Sequence, residues 1–142
     1  MSPCIDDQLG GLTYAIIGLA MAVHNELGPG HREAVYHRAM HQQLRTRGVA
    51  SEYELRLPVM DQHGNLVTVY RPDHRVEHVL LVEYKAHFYP LTNDEIAQCL
   101  KYFAASDCNV CLLFNFGRHR LEWKRLFPPQ KILQHRHRRS RS

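Results

Sequence analysis

The 142-residue chain has no apolar run long enough to cross a bilayer. Residues 9–23 carry no charge, but a spanning helix needs ~20 such residues. No cation precedes that stretch; Asp6 and Asp7 do, which is not the pattern of a secretory leader, so the cytoplasm is the expected location. Cysteine is sparse: Cys4, Cys99, Cys108 and Cys111 do not make the dense framework of a secreted domain. Cys108-x-x-Cys111 has no second pair of ligands to complete a zinc site. No internal repeat is present, and acids are absent from residues 131–142. Those twelve residues hold five of the 18 cations, leaving 13 cations against 14 acids over residues 1–130, a net charge of −1. The pI near 9.0 therefore belongs to the tail and not to the body. What remains is ordinary globular usage, 44% hydrophobic and 23% charged. This excludes a wholly disordered or fibrous chain, and the length suits one domain with one core.

Residues 12–27 carry Ile16, Leu19, Ala20, Val23 and Leu27 at helical spacing and end at Gly28-Pro29-Gly30, which predicts a buried helix with a sharp stop. A second helix is expected over 31–47, with Val35, Ala39 and Leu44 on one side. The period then changes to two: residues 53–57 alternate apolar and charged, as on a half-buried strand. A turn at 61–65 and strands at 66–70, 73–77 and 79–85 follow, with a short turn near 77–78. Residues 79–82 form a continuous apolar run, which predicts a strand covered on both faces. Thr92-x-x-Glu95 is a capping-box pattern opening a helix over 94–105. Further strands are expected at 109–116 and 121–127. Together these predict an α/β fold with a central mixed β-sheet flanked by helices, confined to residues 1–130. Residues 131–142 read as a low-complexity, disordered basic tail, serving either to touch nucleic-acid phosphates or merely as a solubilising extension. Tyr14, Tyr36, Tyr102 and Trp123 are expected in the core and the histidines on the surface, the alternative for His31 and His74 being contact with phosphate or metal beside the candidate site residues.

Four short patterns carry chemistry. Glu33 stands one turn into the second helix, Pro72-Asp73 enters a strand, Glu83-Tyr84-Lys85 ends the apolar strand, and Gln98 sits on the helix after it. Side chains alternate along a strand, so Glu83 and Lys85 share one face and Tyr84 takes the other. A turn near 77–78 sets Asp73 opposite Glu83 on the neighbouring antiparallel strand. Two carboxylates that close repel unless a cation lies between them. Their hard oxygens suit Mg²⁺ or Mn²⁺.

Pro72-Asp73 followed by Glu83-x-Lys85 resembles the signature of the PD-(D/E)XK nuclease superfamily. More narrowly, the chain resembles the bacterial GxxExxY protein family, through Gly30-x-x-Glu33-x-x-Tyr36. Leu12-Thr-Tyr-x-Ile-Ile-Gly18, Val23-His-x-Glu-Leu-Gly-Pro-Gly30, Tyr70-Arg71, Val82-Glu-x-Lys-Ala86, Ala97-Gln98 and Asn115-Phe-Gly117 also match. The likeness spans residues 9–127. It departs from the usual pattern at His74-Arg75, where an apolar pair is common, and at Tyr84, where an aliphatic residue is.

The resemblance implies a restriction-endonuclease-like core and a metal-dependent nuclease. Asp73 and Glu83 would be metal ligands, Glu33 would complete the shell, Lys85 would orient or activate the attacking water, and Gln98 would support the site. The ion would be Mg²⁺ or Mn²⁺ and the substrate nucleic acid, DNA rather than RNA. A chain this short has little room for a separate recognition domain, so a homodimer or a protein partner is expected to supply specificity. The alternative is a catalytically silent, nuclease-like subunit that binds nucleic acid or regulates a partner. Some members of the superfamily hold an iron–sulfur cluster on four cysteines. The spacing here differs, and the four thiols are expected to be ordinary ones.

Overall fold

The apolar runs ending near Val82 and Phe114 can be satisfied only where both faces of a sheet are covered. The computed structural model describes residues 3–141. In it the two runs lie side by side as a central parallel pair, β5 (Leu80–Lys85) and β6 (Val110–Asn115). β4 (His74–Val76) and then β1 (Ser51–Tyr53) extend the sheet antiparallel on the β5 side, and β7 (Glu122–Leu126) on the β6 side. The order is β1-β4-β5-β6-β7, with β2 (Leu57–Met60) and β3 (Leu66–Tyr70) forming a separate hairpin. This is the expected α/β architecture with a central mixed sheet flanked by helices.

Helices α1 (Pro3–Leu27) and α2 (Glu33–Thr46) cover one face of the sheet. There Ile16, Leu19, Ala20 and Val23 of α1 and Tyr36, Met40 and Leu44 of α2 pack on Leu80, Val82, Tyr84, Leu112 and Phe114. Helix α3 (Asn93–Ala104) covers the other face, where Cys99, Tyr102 and Phe103 meet Leu81, Cys111 and Leu113. Even-numbered residues of β5 thus face α1 and α2, and odd-numbered ones face α3. The Thr92–Glu95 capping box forms as the sequence predicts, satisfying orphan amides at the start of α3.

Several expectations need correction. The buried stripe of α2 is Tyr36, Met40 and Leu44, and Val35 is exposed. The period was right, but the larger Tyr36 takes the inward position. The alternating run 53–57 is not one strand: Glu54 adopts a left-handed φ of 54° and breaks it into β1 and β2. Tyr14 and Trp123 lie exposed, while Tyr36 and Tyr102 are buried. His74 is fully buried rather than on the surface. The supposed disordered tail forms helix α4 (Gln130–Arg141). Ile132 packs against the α3 side of the core, and the Arg136 guanidinium donates to the carbonyls of Phe103 (2.8 Å) and Cys108 (2.7 Å) and to Asn109 Oδ1 (2.8 Å). Composition hid this, because one planar cation with three acceptors does what a longer apolar stripe would do elsewhere. Cys99, Cys108 and Cys111 are free and buried; the Cys4 side chain lies outside the described residues. Among the described residues, no helix is long and apolar enough to cross a membrane.

The turn after β6 packs against the strand end beside it. A Cβ at Gly117 would stand 2.4 Å from the His87 carbonyl oxygen and 2.6 Å from the Ala86 carbonyl carbon. No side chain larger than hydrogen fits without moving backbone. Gly117→Ala is therefore expected to cost about 1–3 kcal/mol by overpacking; urea unfolding would read it, and an unchanged midpoint would show that the turn yields freely.

Candidate active site

The spacing between Gly30 and Tyr36 has a local physical cause. Gly28 and Gly30 take positive φ values of 70° and 105°, which only glycine adopts without strain, and these let the chain reverse between α1 and α2. Tyr36 then locks the reversal: its hydroxyl donates to the Gly28 carbonyl (2.6 Å) and its ring stacks on Phe116 at 4.6 Å. Glu33 lies in the first turn of α2, where the helix dipole favours an acid. His37 and His41 follow it at intervals of four, on the same helical face.

The β4–β5 hairpin carries the rest. Glu77 and His78 both take left-handed φ values, 52° and 63°, and the Val79 amide donates to the Val76 carbonyl, closing a tight turn over residues 77–79. The register His74↔Val82, Arg75↔Leu81 and Val76↔Leu80 then brings Asp73 opposite Glu83, as the sequence predicts. The two acids are interlocked through the backbone. Asp73 Oδ2 accepts the Tyr84 amide at 2.8 Å, and Glu83 Oε1 accepts the Asp73 amide at 3.2 Å. Lys85 Nζ is 3.4 Å from Glu83 Oε2, and His37 Nδ1 is 3.7 Å from Asp73 Oδ1.

The electrostatics follow from burial. Glu83 is pushed up to about 8, first by burial and then by the Asp73 charge. Asp73 is also raised, chiefly by burial. Glu33 is raised by partial burial of its carboxyl group, and Lys85, Asp73, His87 and His37 all act on its charge. Burial disfavours the Lys85 ammonium, but Glu83, Glu33 and Asp73 together outweigh it and hold its pKa above the usual value. Three carboxylates share one ammonium, and burial favours the uncharged form of each. A divalent cation on the same oxygen donors would favour the charged forms instead. Among the described residues, no three His, Cys, Asp or Glu side chains already converge as a metal cage. The donor chemistry that fits an ion is the Asp73–Glu83 pair, with Glu33 at its edge.

Gln98 is exposed on α3 and lines a cavity of about 300 Å³ beside the site, with Tyr70, Arg71 and Lys101. One turn further along α3, buried Tyr102 faces Glu83, and burial first, then that carboxylate's charge, raises the phenol's pKa. Sequence reasoning placed Tyr102 in the core and missed this contact; its spacing of four from Gln98 was the available signal. His37, four residues beyond Glu33, was missed in the same way.

The two departures from the usual pattern prove to be partners. Tyr84 and His74 are both fully buried, and His74 Nδ1 lies 2.9 Å from the Tyr84 hydroxyl. His74 Nε2 lies 3.3 Å from His41 Nδ1. Every group is satisfied if Tyr84 donates to Nδ1 and His74 donates from Nε2 to His41. Burial, with His37 and His41 nearby, holds the His74 pKa down to about 3.

Compared with known proteins, residues 10–126 match a family model described as the PD-(D/E)XK nuclease superfamily. No curated protein matches the chain. Among solved structures it is similar to the crystal structure of an alkaline exonuclease from Laribacter hongkongensis, at 13% identity and a TM-score of 0.42, over 69% of this chain and 57% of that one. The chain thus spans less than two thirds of that protein's length.

The buried His74–Tyr84 pair makes stability depend on pH with a definite sign. His74 stays neutral in the fold to about pH 3, whereas in the unfolded chain it protonates below ~6.5. Stability is therefore complete above pH 6.5 and falls as pH drops toward 3, by up to about 1.4 kcal/mol per pH unit from this group. His74→Phe should flatten that slope yet cost about 1–3 kcal/mol at pH 7, because the Tyr84 hydroxyl loses its partner. Adding Tyr84→Phe should recover most of the loss. Denaturant titrations between pH 7 and 4 test both; a double variant no more stable than the single one would contradict the pairing.

Proposed function

This chain belongs to the PD-(D/E)XK nuclease superfamily, and on that premise we propose that it hydrolyses phosphodiester bonds in nucleic acid, DNA before RNA, with Mg²⁺ or Mn²⁺. The observation that carries this reading is the interlocked Asp73–Glu83 pair with Lys85 3.4 Å from Glu83. Within the superfamily we place the chain in the GxxExxY group, on Gly30-x-x-Glu33-x-x-Tyr36 and the turn and helix start those residues build. In this reading the catalytic domain comprises residues 1–130 with helix α4 packed against it, acts in the cytoplasm, and relies on a second copy or a partner protein to select substrate.

Asp73 and Glu83, with Glu33 reaching in from α2, would hold the ion. When bound it would polarise a phosphate oxygen and lower the pKa of a bound water. Lys85, kept cationic by the surrounding carboxylates, would orient the attacking water and offset charge developing on the phosphoryl group. The Tyr84 amide fixes Asp73 Oδ2 and His37 steadies Asp73 Oδ1, so the carboxylate is aimed before any ligand arrives. Tyr102 would back Glu83 from the α3 side. Gln98 would support the site from the adjoining cavity, within reach of a substrate strand that also meets Arg71 and Lys101.

Calorimetry with Mn²⁺ tests the site without a guess at the substrate. Binding should disappear in Asp73→Ala and survive in Lys85→Ala, while both variants lose at least about 100-fold in cleavage rate. Equal Mn²⁺ binding by the wild type and folded Asp73→Ala would dismiss this site. Metal binding with nucleic-acid binding but no cleavage by the wild type would favour the non-catalytic subunit.

A further inference from the structure

The loop leaving Lys85 has no part in the chemistry above, yet it is the most firmly gripped irregular segment near it. Phe88, three residues beyond Lys85, is 87% exposed, and Tyr89 is 42% exposed. Single exposed aromatics are common; what sets this one apart is the backbone beneath it. Asn115, fully buried at the end of β6, accepts the His87 amide at 2.9 Å and donates to the Tyr89 carbonyl at 3.0 Å. It thus holds both sides of Phe88. Glu122 of β7 in turn accepts from Asn115 (3.2 Å) and from the Leu91 amide (3.0 Å). Gly117 lets the neighbouring turn close directly on Ala86 and His87.

The rings are ordered as well. His87 and Tyr89 stack at 4.5 Å and 8°, and Phe88 stands edge-on to Tyr89 at 5.5 Å and 85°. Pro90, next in the chain, lines a cavity of about 540 Å³ with Arg118, His119 and Arg120 of the β6–β7 turn. That turn is fixed from behind by His24, whose Nε2 lies 2.9 Å from the Arg118 carbonyl. His87 acts on the charge of Glu33, so this surface adjoins the mouth of the site. Holding a bare phenyl ring in water with buried polar groups does nothing for folding. Aromatic faces beside cations are, however, the combination that binds unpaired nucleotides, because a duplex hides its base faces and a single strand offers them.

We propose that His87, Phe88 and Tyr89 stack unpaired bases while Arg118 and Arg120 hold the phosphates of the same strand, making single-stranded nucleic acid the substrate class. This rests on the nuclease reading and narrows it. The test uses the full chain carrying Lys85→Ala, which prevents turnover, with two probes: a short deoxyoligonucleotide bearing one 2-aminopurine, and the matching blunt duplex. The single strand should bind more tightly and its 2-aminopurine emission should be quenched. Phe88→Ala should weaken that binding about tenfold or more and abolish the quenching, with duplex binding and melting temperature unchanged; Phe88→Trp should restore both signals. Arg120→Ala should weaken both probes and lower the salt dependence. Equal affinity for the two probes, or no effect of Phe88→Ala, overturns the stacking surface and leaves the nuclease reading intact. No binding of either probe overturns both.

Discussion

Two carboxylates cannot be kept 10 residues apart in sequence and adjacent in space, with water largely removed, unless something other than their own charge holds them. Here it is backbone: each acid accepts an amide from the opposite strand, Asp73 from Tyr84 and Glu83 from Asp73. The exchange spends a donor that the sheet edge would otherwise leave unpaired, and it fixes both side chains without neutralising either. Everything else at the site is arranged around that lock. Lys85 answers Glu83, His37 answers Asp73, and Tyr102 comes up from α3 beneath. The pKa values of Asp73 and Glu83 are raised first by burial, to which the Asp73 charge adds at Glu83.

Much of this was legible because it depended on short-range rules. The alternation of β5 put Glu83 and Lys85 on one face and Tyr84 on the other, and the turn at 77–78 gave the register. The capping box announced α3. What escaped the sequence depended on partners distant along the chain. Tyr102 looks like any core tyrosine until its helix is laid over β5. His74 reads as a surface histidine because its hydrogen-bonding partner, Tyr84, is ten residues away and appears, taken alone, as a separate oddity. Helix α4 was hidden by its composition, since Arg136 finds acceptors on α3 and in the turn before β6 rather than on its own helix. The strand expected at 53–57 failed for a local reason that pattern cannot express, a single left-handed residue at Glu54.

The two faces of the sheet divide the labour. On the α1–α2 side, the Tyr36–Phe116 stack and the His41–His74–Tyr84 chain form a stiff backing of rings and hydrogen bonds. Glu83 and Lys85 point away from that backing, and Glu33 and His37 approach the same group of charges from α2. The parallel pairing of β5 with β6 sends both strands' C-terminal ends to the same edge, and Lys85 and Asn115 stand there as register partners. One closes the Glu83–Lys85 row; the other governs the loop that follows β5.

The hairpin between β4 and β5 has a consequence for how this sequence can change over time. Residues 80–82 are buried on both sides of the sheet, so over that stretch sliding the strand by one position would only exchange leucine for leucine or valine. Hydrophobic patterning, the usual guardian of strand alignment, speaks here only through Tyr84 and Glu83, which a one-residue slide would exchange between faces. Alignment rests on the Glu77–His78 turn and on the carboxylate–amide lock. The apolar letters of β5 are therefore free to drift among themselves, while insertion or deletion of one residue in the turn would send Glu83 and Lys85 through to the opposite side of the sheet. The length of the three-residue bend over 77–79 thus constrains the site more tightly than the identity of the apolar residues that follow it.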